Sequence, residues 1–208
     1  PMYNRHKKSV SLNLKSPEGL AAAKALAADA DILIENFRPN ALEKLGLGYD
    51  ALSETNPRLI YCSAKGFLSG PYEKRTALDE VAQMMGGLAY MTGPPGKPLR
   101  AGSSVIDVTG GMFGVIGVMA ALEERHRSGK GQLVQTSLFE TTVYLVGQHM
   151  AQLAVTGKAA SPMPARISAW AIYDVFETRD DPVFIGVVTD ALWEKFCALF
   201  GLDDLWAD

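Results

Sequence analysis

Apolar residues along the chain form two kinds of run, short ones suited to strands and longer ones suited to helices. Ser16-Pro17-Glu18 supplies an N-cap residue, a proline at the first helical position and an acidic first turn, so it predicts a helix that ends near Asp29. The apolar runs Asp31–Glu35 and Arg58–Ser63 predict buried strands. Two short helices are predicted between them, near Asn40–Leu45 and Asp50–Asn56. This alternation predicts βαβ units around a mainly parallel sheet.

One long apolar helix, predicted from Asp107 to Arg127, dominates the middle of the chain. Gly110, Gly114 and Gly117 fall on one face of it. Since each glycine costs a helix about 1 kcal/mol relative to alanine, we expect another backbone to approach that face closely. Before this helix, Ala77–Tyr90 is predicted to be a helix and TGPPGKPLRAGSS a Gly- and Pro-rich loop. After it, a strand is predicted at Leu133–Leu138, followed by a helix that ends near Thr156.

A stretch of small residues and prolines, GKAASPMPARIS, divides the chain into two parts. We expect a large domain over residues 1–157, a linker over 158–165 and the beginning of a smaller α+β domain over 166–208. The second part is predicted to contain two strands and an amphipathic helix, at Trp170–Phe176, Val183–Val188 and Ala191–Phe200. The fold class is therefore α/β, with a mainly parallel sheet and flanking helices in the large domain.

Composition and charge argue against some classes of binding partner. Of the 208 residues, 48% are hydrophobic and 21% are charged, as in ordinary globular proteins, and the net charge of −3 argues against a nucleic-acid binder. We find no apolar run near the ~20 residues of a membrane helix and no signal peptide, and we interpret both cysteines as buried thiols, so we expect a cytoplasmic protein without a membrane partner. Four cations near the N-terminus would either attract a phosphorylated ligand or form a solvated edge: Arg5, Lys7, Lys8 and Lys15.

Several catalytic motifs are absent or misplaced. Gly46-Leu-Gly48-Tyr-Asp-Ala51 matches a dinucleotide-binding fingerprint as a string, but the residues before it are predicted to be helical rather than a strand. The sequence contains no P-loop and no G-x-S-x-G nucleophile elbow. The three histidines lack the spacing of metal ligands, so no metal site is predicted: His6, His126 and His149.

Asp107 lies where a glycine- and serine-containing loop enters the long helix. In one interpretation it is the N-cap of that helix, which stabilises by about 1 kcal/mol. In the other, the helix terminus keeps its carboxylate ionised while Gly110 and Gly111 leave room for a ligand, and an ionised carboxylate can attack an activated acyl group. Position alone leaves both interpretations open.

Five segments resemble the class III coenzyme A (CoA) transferases, in order and over nearly the whole chain. They are NRHKKSVSLNLKSPEG, ADILIENFRPNALEKLGLGYDAL, NPRLIYCSAKGF, AGSSVIDVTGG and RHRSGKGQLVQTSLFE. The family includes formyl-CoA and carnitine CoA-transferases, and α-methylacyl-CoA racemase shares its fold. The resemblance implies that the large domain is a Rossmann-like CoA-binding domain, and that the native assembly is an interlocked homodimer.

The resemblance also implies roles for particular residues. Asp107 matches the family's nucleophile, which forms a covalent aspartyl intermediate, and Asp79 matches an active-site acidic residue, although it equally suits a carboxylate in the first turn of a helix. CoA is then a substrate, exchanged between an acyl-CoA and a small carboxylic acid, with no covalently bound cofactor. Eight positions match CoA-contacting residues: Leu12, Lys15, Asn36, Phe37, Arg38, Lys44, Lys65 and Leu138.

Two alternatives to transfer are considered. A racemase needs an acid–base pair, and the family's histidine is replaced here by Leu78, so racemisation lacks one of its two bases. A truncated, non-catalytic CoA-binding chain is the other, because the sequence enters the strand-like segment SVSLNL almost at once, and the resemblance implies an N-terminal segment and most of a small domain that this sequence lacks. The segment PMPARISAWAIYDVF differs from the corresponding segment of formyl-CoA transferase, so the resemblance does not identify the donor and acceptor acids. Residues that could bind an acceptor carboxylate include Arg100, Arg166 and Tyr173.

Overall fold

Three parallel strands form the centre of the larger part of the molecule. A computed structural model describes residues 4–166, 168–170 and 172–206 and divides the chain into two compact units, Pro1–Pro164 and Ala165–Asp208. The elements of the first unit are, in chain order, α1 (Pro17–Ala28), β1 (Ile32–Glu35), a 3₁₀ turn (Glu43–Leu45), α2 (Tyr49–Thr55), β2 (Ile60–Lys65), α3 (Asp79–Gly86), α4 (Leu88–Thr92), α5 (Val105–Ser128), β3 (Leu133–Ser137) and α6 (Leu138–Thr156).

The sheet has the order β1-β2-β3, and both pairs are parallel, as the alternation of helices and strands predicts. Its two faces carry different cores, because successive residues of a strand point to opposite sides. On one face Tyr61 packs in a cluster with apolar residues of the segments before and after α2. On the other, Ile60 and Cys62 pack against Val118 and Ala121 of α5. The α/β fold class is confirmed by this layered arrangement.

The glycine face of α5 lies against β3. A Cβ atom at Gly117 would lie 2.7 Å from Val134 Cγ1, and one at Gly114 would lie 3.2 Å from Thr136 Cγ2. At Gly110 the nearest atoms include the backbone oxygen of Ser137, at 3.7 Å. The close approach expected at this face is therefore present, although side chains of β3, more than its backbone, are the nearest neighbours.

The outer face of α5 is apolar as well. It leaves large apolar side chains exposed, among them Val108, Met112, Val115, Ile116 and Met119. The expectation that no apolar run approaches membrane length is therefore wrong, since α5 is long and apolar enough to cross a bilayer by length and composition. A core helix passes the same test, and the inner face of α5 packs on the sheet, so this property alone assigns no membrane location.

Two local predictions differ from the structure. The segment SVSLNL is not a strand: its residues have no regular structure, and Val10 is 67% exposed, because an alternating pattern forms a strand only where another strand pairs with it. The helix predicted over Ala77–Tyr90 is two helices, because Gly87 adopts a left-handed conformation (φ 92°) that ends α3 before α4 begins.

The second unit contains an antiparallel pair of strands followed by two helices. The strands are β4 (Ile172–Phe176) and β5 (Val183–Val187), and the helices are α7 (Asp190–Phe200) and α8 (Asp203–Trp206). The hydroxyl of Thr189 accepts a hydrogen bond from the N–H of Leu192 and so caps α7. The strand predicted from Trp170 begins at Ile172, while Ile167 and Ala171 lie outside the described residues.

Candidate active site

The carboxyl ends of the three strands meet at one edge of the sheet. β1 leads into the exposed loop Asn36-Phe37-Arg38, β2 ends on Lys65, and β3 leads directly into Leu138, the first residue of α6. In open α/β sheets ligands bind outside this edge. The structure therefore places five of the predicted CoA-contacting residues on the edge where a ligand is expected.

The amino ends of α1 and α5 lie at the same edge. Asn56 Nδ2 donates to the backbone oxygens of Ala27 (3.2 Å) and Ala30 (2.8 Å), which holds the far end of α1 near the start of β2. Thr136 Oγ1, near the end of β3, donates to the Gly110 oxygen at 2.8 Å in the first half of α5. Since both helices run antiparallel to the strands, their first residues point to the carboxyl edge. Two further predicted residues precede α1 there, Leu12 and Lys15, whereas Lys44 lies exposed in the 3₁₀ turn.

Asp107 is the third residue of α5, not its N-cap. The N-cap is Ser104, whose side chain makes no capping hydrogen bond. The capping interpretation of Asp107 is therefore wrong, and its side chain is exposed at the amino end of the helix. This position leaves the carboxylate accessible to a ligand that binds at the carboxyl edge of the sheet.

Asp79 supplies the cap that Ser104 does not. Its Oδ2 accepts hydrogen bonds from the N–H groups of Ile106 (2.8 Å) and Asp107 (3.1 Å), the pair that an N-cap side chain ordinarily serves. Asp79 opens α3, as the first-turn interpretation requires, and only 3% of it is exposed. Its other oxygen accepts from Gln83, a buried residue that the sequence interpretation missed, although the i, i+4 spacing on one helix is the signal for such a pair.

The carboxyl group of Asp107 has a raised pKa. Partial desolvation by the surrounding protein is the largest cause, and the negative charges of Asp79 and Glu80 act in the same direction. Arg100, which forms an ion pair with Glu80, opposes them. The predicted stabilisation by the helix terminus is not what sets this pKa, because the N–H groups at that terminus already donate to Asp79.

Lys65 is engaged by the end of β1. Its ammonium nitrogen lies 2.7 Å from Glu35 Oε1 and donates to the Phe37 oxygen at 2.9 Å. Glu35 is buried and also accepts from the N–H of Phe37 (2.9 Å) and from the Ser63 hydroxyl. Sequence reasoning missed Glu35, yet a glutamate that ends an apolar strand signals a buried charge in need of a partner. This cluster fixes the backbone of the loop that follows β1.

Neither a metal site nor a reactive thiol is found at this edge. Among the described residues no three histidine, cysteine, aspartate or glutamate side chains are grouped so that they could hold a metal ion. Burial raises the pKa of Cys62, and the charge of Glu35 adds to the effect, so this thiol stays protonated at neutral pH.

A parallel sheet with a cationic and aromatic loop and an accessible carboxylate at its carboxyl edge is typical of α/β proteins that bind a phosphorylated ligand next to a reacting group. The chain belongs to CoA-transferase family III, whose sequence profile matches residues 1–208. Its relatives include an acetyl-CoA:oxalate CoA-transferase of Acetobacter aceti, 38% identical over 99% of this chain and 54% of that protein. A succinyl-CoA:glutarate CoA-transferase of Mus musculus is 34% identical over 99% of this chain and 48% of that one.

The fold agrees with this membership. A crystal structure of a CaiB/BaiF family protein from Brucella suis superposes with a TM-score of 0.85 at 34% identity and covers 99% of this chain and 55% of that one. The chain spans about half the length of the curated relatives it matches.

Proposed function

We propose that the protein is an acyl-CoA transferase that moves CoA from a donor thioester to an acceptor carboxylic acid through an intermediate on Asp107. The observation that carries the proposal is an accessible aspartate at the amino end of α5, on the ligand-binding edge of a family III chain. The relatives are named for transfers between acyl-CoA thioesters and carboxylic acids, which supports the same substrate classes here.

A single carboxylate, that of Asp107, is sufficient to carry out every step of the exchange. Asp107 Oδ attacks the carbonyl carbon of the donor thioester, the C–S bond breaks, and a mixed anhydride and CoA thiolate form. The thiolate attacks the aspartyl carbonyl, which releases the donor acid and leaves an aspartyl-CoA thioester. The acceptor carboxylate attacks the carbonyl carbon of this thioester, the C–S bond breaks, and a second anhydride and CoA thiolate form. The thiolate then attacks the acceptor carbonyl, which gives the new acyl-CoA and regenerates the carboxylate of Asp107.

CoA binding is assigned to the residues at the carboxyl edge together with Lys44 of the 3₁₀ turn. Lys15, Arg38 and Lys44 are exposed cations that suit the phosphates, and half-exposed Phe37 suits the adenine ring. In this proposal Lys65 acts through the loop that follows β1, since it holds the backbone of Phe37 while its charge is paired with that of Glu35. Asn36, Leu12 and Leu138 complete the set.

Racemisation is not favoured. Leu78 precedes Asp79 at the place where that reaction needs a proton-transferring histidine, and a leucine neither donates nor accepts a proton. A chain that only binds CoA would leave Asp107 unmodified, so the adduct experiment below separates that alternative from transfer.

Assembly and location are part of the proposal. The exposed apolar face of α5 supports its burial by further protein, as in the proposed interlocked homodimer. Cys62 and Cys197 are reduced and buried, which supports a reducing compartment such as the cytoplasm.

Trapping of the intermediate tests the function. The protein at its full natural length, incubated with an acyl-CoA and then with hydroxylamine, is expected to carry a hydroxamate on Asp107, detected by peptide mass analysis. Borohydride is expected to reduce the aspartyl-CoA thioester at the same residue to an alcohol. Asp107→Asn should carry neither modification. A wild-type protein that turns over while its Asp107 peptide stays unmodified would exclude the proposed intermediate.

The pH dependence of the reaction should respond in opposite directions to the two members of the Arg100–Glu80 pair. The attacking carboxylate must be ionised, so kcat/KM falls as the pH drops through the pKa of Asp107. Arg100→Gln removes the charge that lowers this pKa and should move the acidic limb to higher pH. Glu80→Gln removes a charge that raises it and should move the limb to lower pH.

The control for this experiment is the ion pair at the other end of α5. Arg127 Nη2 lies 2.6 Å from Glu124 Oε2, and neither residue is among the causes of the shift at Asp107. Arg127→Gln and Glu124→Gln should therefore leave the limb in place. Equal shifts in one direction for the Arg100 and Glu80 variants would contradict the assignment.

A further inference from the structure

A continuous chain of hydrogen bonds links α3, the loop before α5 and the first turn of α5. It begins at the N–H of Ala101, which donates to Gln83 Oε1 at 2.8 Å. Gln83 Nε2 donates in turn to Asp79 Oδ1. Asp79 Oδ2 then receives the N–H groups of Ile106 and Asp107. Asp79 and Gln83 are 3% and 0% exposed, so water does not replace any of these bonds.

The direction of donation along this chain of hydrogen bonds follows from the groups at its two ends. Backbone N–H groups stand at both ends, and each can only donate. The Gln83 amide must therefore turn its oxygen toward Ala101, which leaves its NH₂ group facing Asp79. A carboxylate is the group that accepts from that NH₂ and from two backbone donors at once. One amide and one carboxylate, in this order, give an acceptor to each of the three backbone N–H groups and to the Gln83 amide nitrogen, which favours a stable buried network.

The chain of hydrogen bonds includes the backbone N–H of Asp107 itself. The N–H of this residue is one of the two donors to Asp79, and Ala101 lies six residues before it in the connecting loop. An ordinary N-cap would lie on α5 and move with it. Here the cap belongs to α3, so it fixes the end of α5 relative to a second helix.

We propose that Asp79 and Gln83 are positioning residues, which hold the backbone at Asp107 so that its carboxylate meets the thioester carbon, and that Asp79 does not touch the substrate. This inference rests on the proposed function. It assigns Gln83 a positioning role in the reaction. It also assigns Asp79 a positioning role, in place of the role of an acid that lines the substrate pocket. A displacement of about 1 Å at a reacting group can reduce a rate by about 10²-fold, so the network matters for turnover as well as for folding.

Exchange of the two side-chain types tests the proposal. In Asp79→Asn two NH₂ groups face each other, and in Gln83→Glu two carboxylates do, so each single substitution breaks the chain of bonds. The double variant D79N/Q83E restores it with reversed polarity in the middle. Its amide oxygen accepts from Ile106 and Asp107, its amide NH₂ donates to the new carboxylate, and that carboxylate accepts from Ala101.

The variants are made in the protein at its full natural length and measured on the alkaline plateau of each variant's pH–rate profile. Each single substitution is expected to lower kcat and the rate of adduct formation on Asp107 by about 10²-fold. The KM for acyl-CoA should stay within about twofold, because the proposed CoA contacts lie on other elements. The double variant should recover most of the loss, which corresponds to strong coupling between the two positions.

Each outcome decides the proposal. Recovery of kcat in D79N/Q83E supports positioning, because no carboxylate remains at position 79 to exchange a proton with substrate. A folded double variant, checked by circular dichroism, that stays as slow as the single variants overturns it, as do single variants with wild-type kcat. If a single variant does not fold, the comparison of the double variant with the wild type still decides. An absence of any adduct in the wild type would instead overturn the proposed function.

Discussion

Asp107→Asn is expected to reduce CoA transfer by about four orders of magnitude or more, because an amide nitrogen does not attack a thioester and no second carboxylate on α5 lies at its amino end. The substitution keeps the size of the side chain, and the N–H of residue 107 still donates to Asp79. The loss should therefore appear in kcat rather than in the KM for acyl-CoA. Steady-state transfer between two acids, followed by chromatography of the acyl-CoA products, measures it.

Asp190→Asn provides a matched control. Asp190 is an exposed aspartate in the first turn of α7, so it has the same chemical type and the same kind of helix position as Asp107. Its substitution costs at most about 1 kcal/mol of helix-terminus interaction and should leave transfer intact. Equal activity of the Asp107 variant and this control would exclude Asp107 as the nucleophile.

Lys65→Met is expected to destabilise the protein by about 3 to 5 kcal/mol. The substitution removes the cation from Glu35, whose carboxylate is buried, and removal of one partner from a buried ion pair leaves an uncompensated charge. The Phe37 oxygen loses a donor in the same step, so the loop that follows β1 loses one of the two hydrogen bonds that Phe37 makes with this cluster. We expect a raised KM for acyl-CoA as well. Urea unfolding at pH 7 gives the change in the free energy of unfolding.

The double variant Glu35→Gln/Lys65→Met separates charge from packing. It removes the anion together with the cation, so it should recover part of the stability lost in the single variant. The KM for acyl-CoA should stay raised, because the Phe37 oxygen still lacks its donor. A single variant with wild-type stability would contradict the importance of this pair.

Local patterns predicted the elements of the sheet but not what joins them. The apolar runs that became β1 and β2 and the long helix that became α5 were visible because each pattern lies within one element. The partners of Asp79 and Glu35 were not visible. The bond from Ile106 to Asp79 spans 27 residues, and that from Lys65 to Glu35 spans 30, so no spacing rule for a single helix or strand reaches them.

The site residues came from the family resemblance, and the structure adds how they are held. Position alone suggested that Asp107 caps its own helix, a good guess for an aspartate after a serine-containing loop. The cap came from another helix instead, because Asp79 is buried against the two free N–H groups. The strand predicted at SVSLNL failed for a related reason, since its formation depends on pairing and not on its own pattern.

The N-cap that Asp79 of α3 provides for α5 has a consequence for which residues near Asp107 can vary in sequence. The bonds from Asp79 and Gln83 anchor the chain at residues 101, 106 and 107, and the N–H of Gly93 donates to the oxygen of Ala89 in α4, so the loop at 93–100 runs between two anchored ends. Apart from Arg100, whose charge acts on the pKa of Asp107, its side chains and its length can change without moving the backbone of Asp107. We therefore expect exchange of this loop to leave the position of Asp107 at the amino end of α5 unchanged.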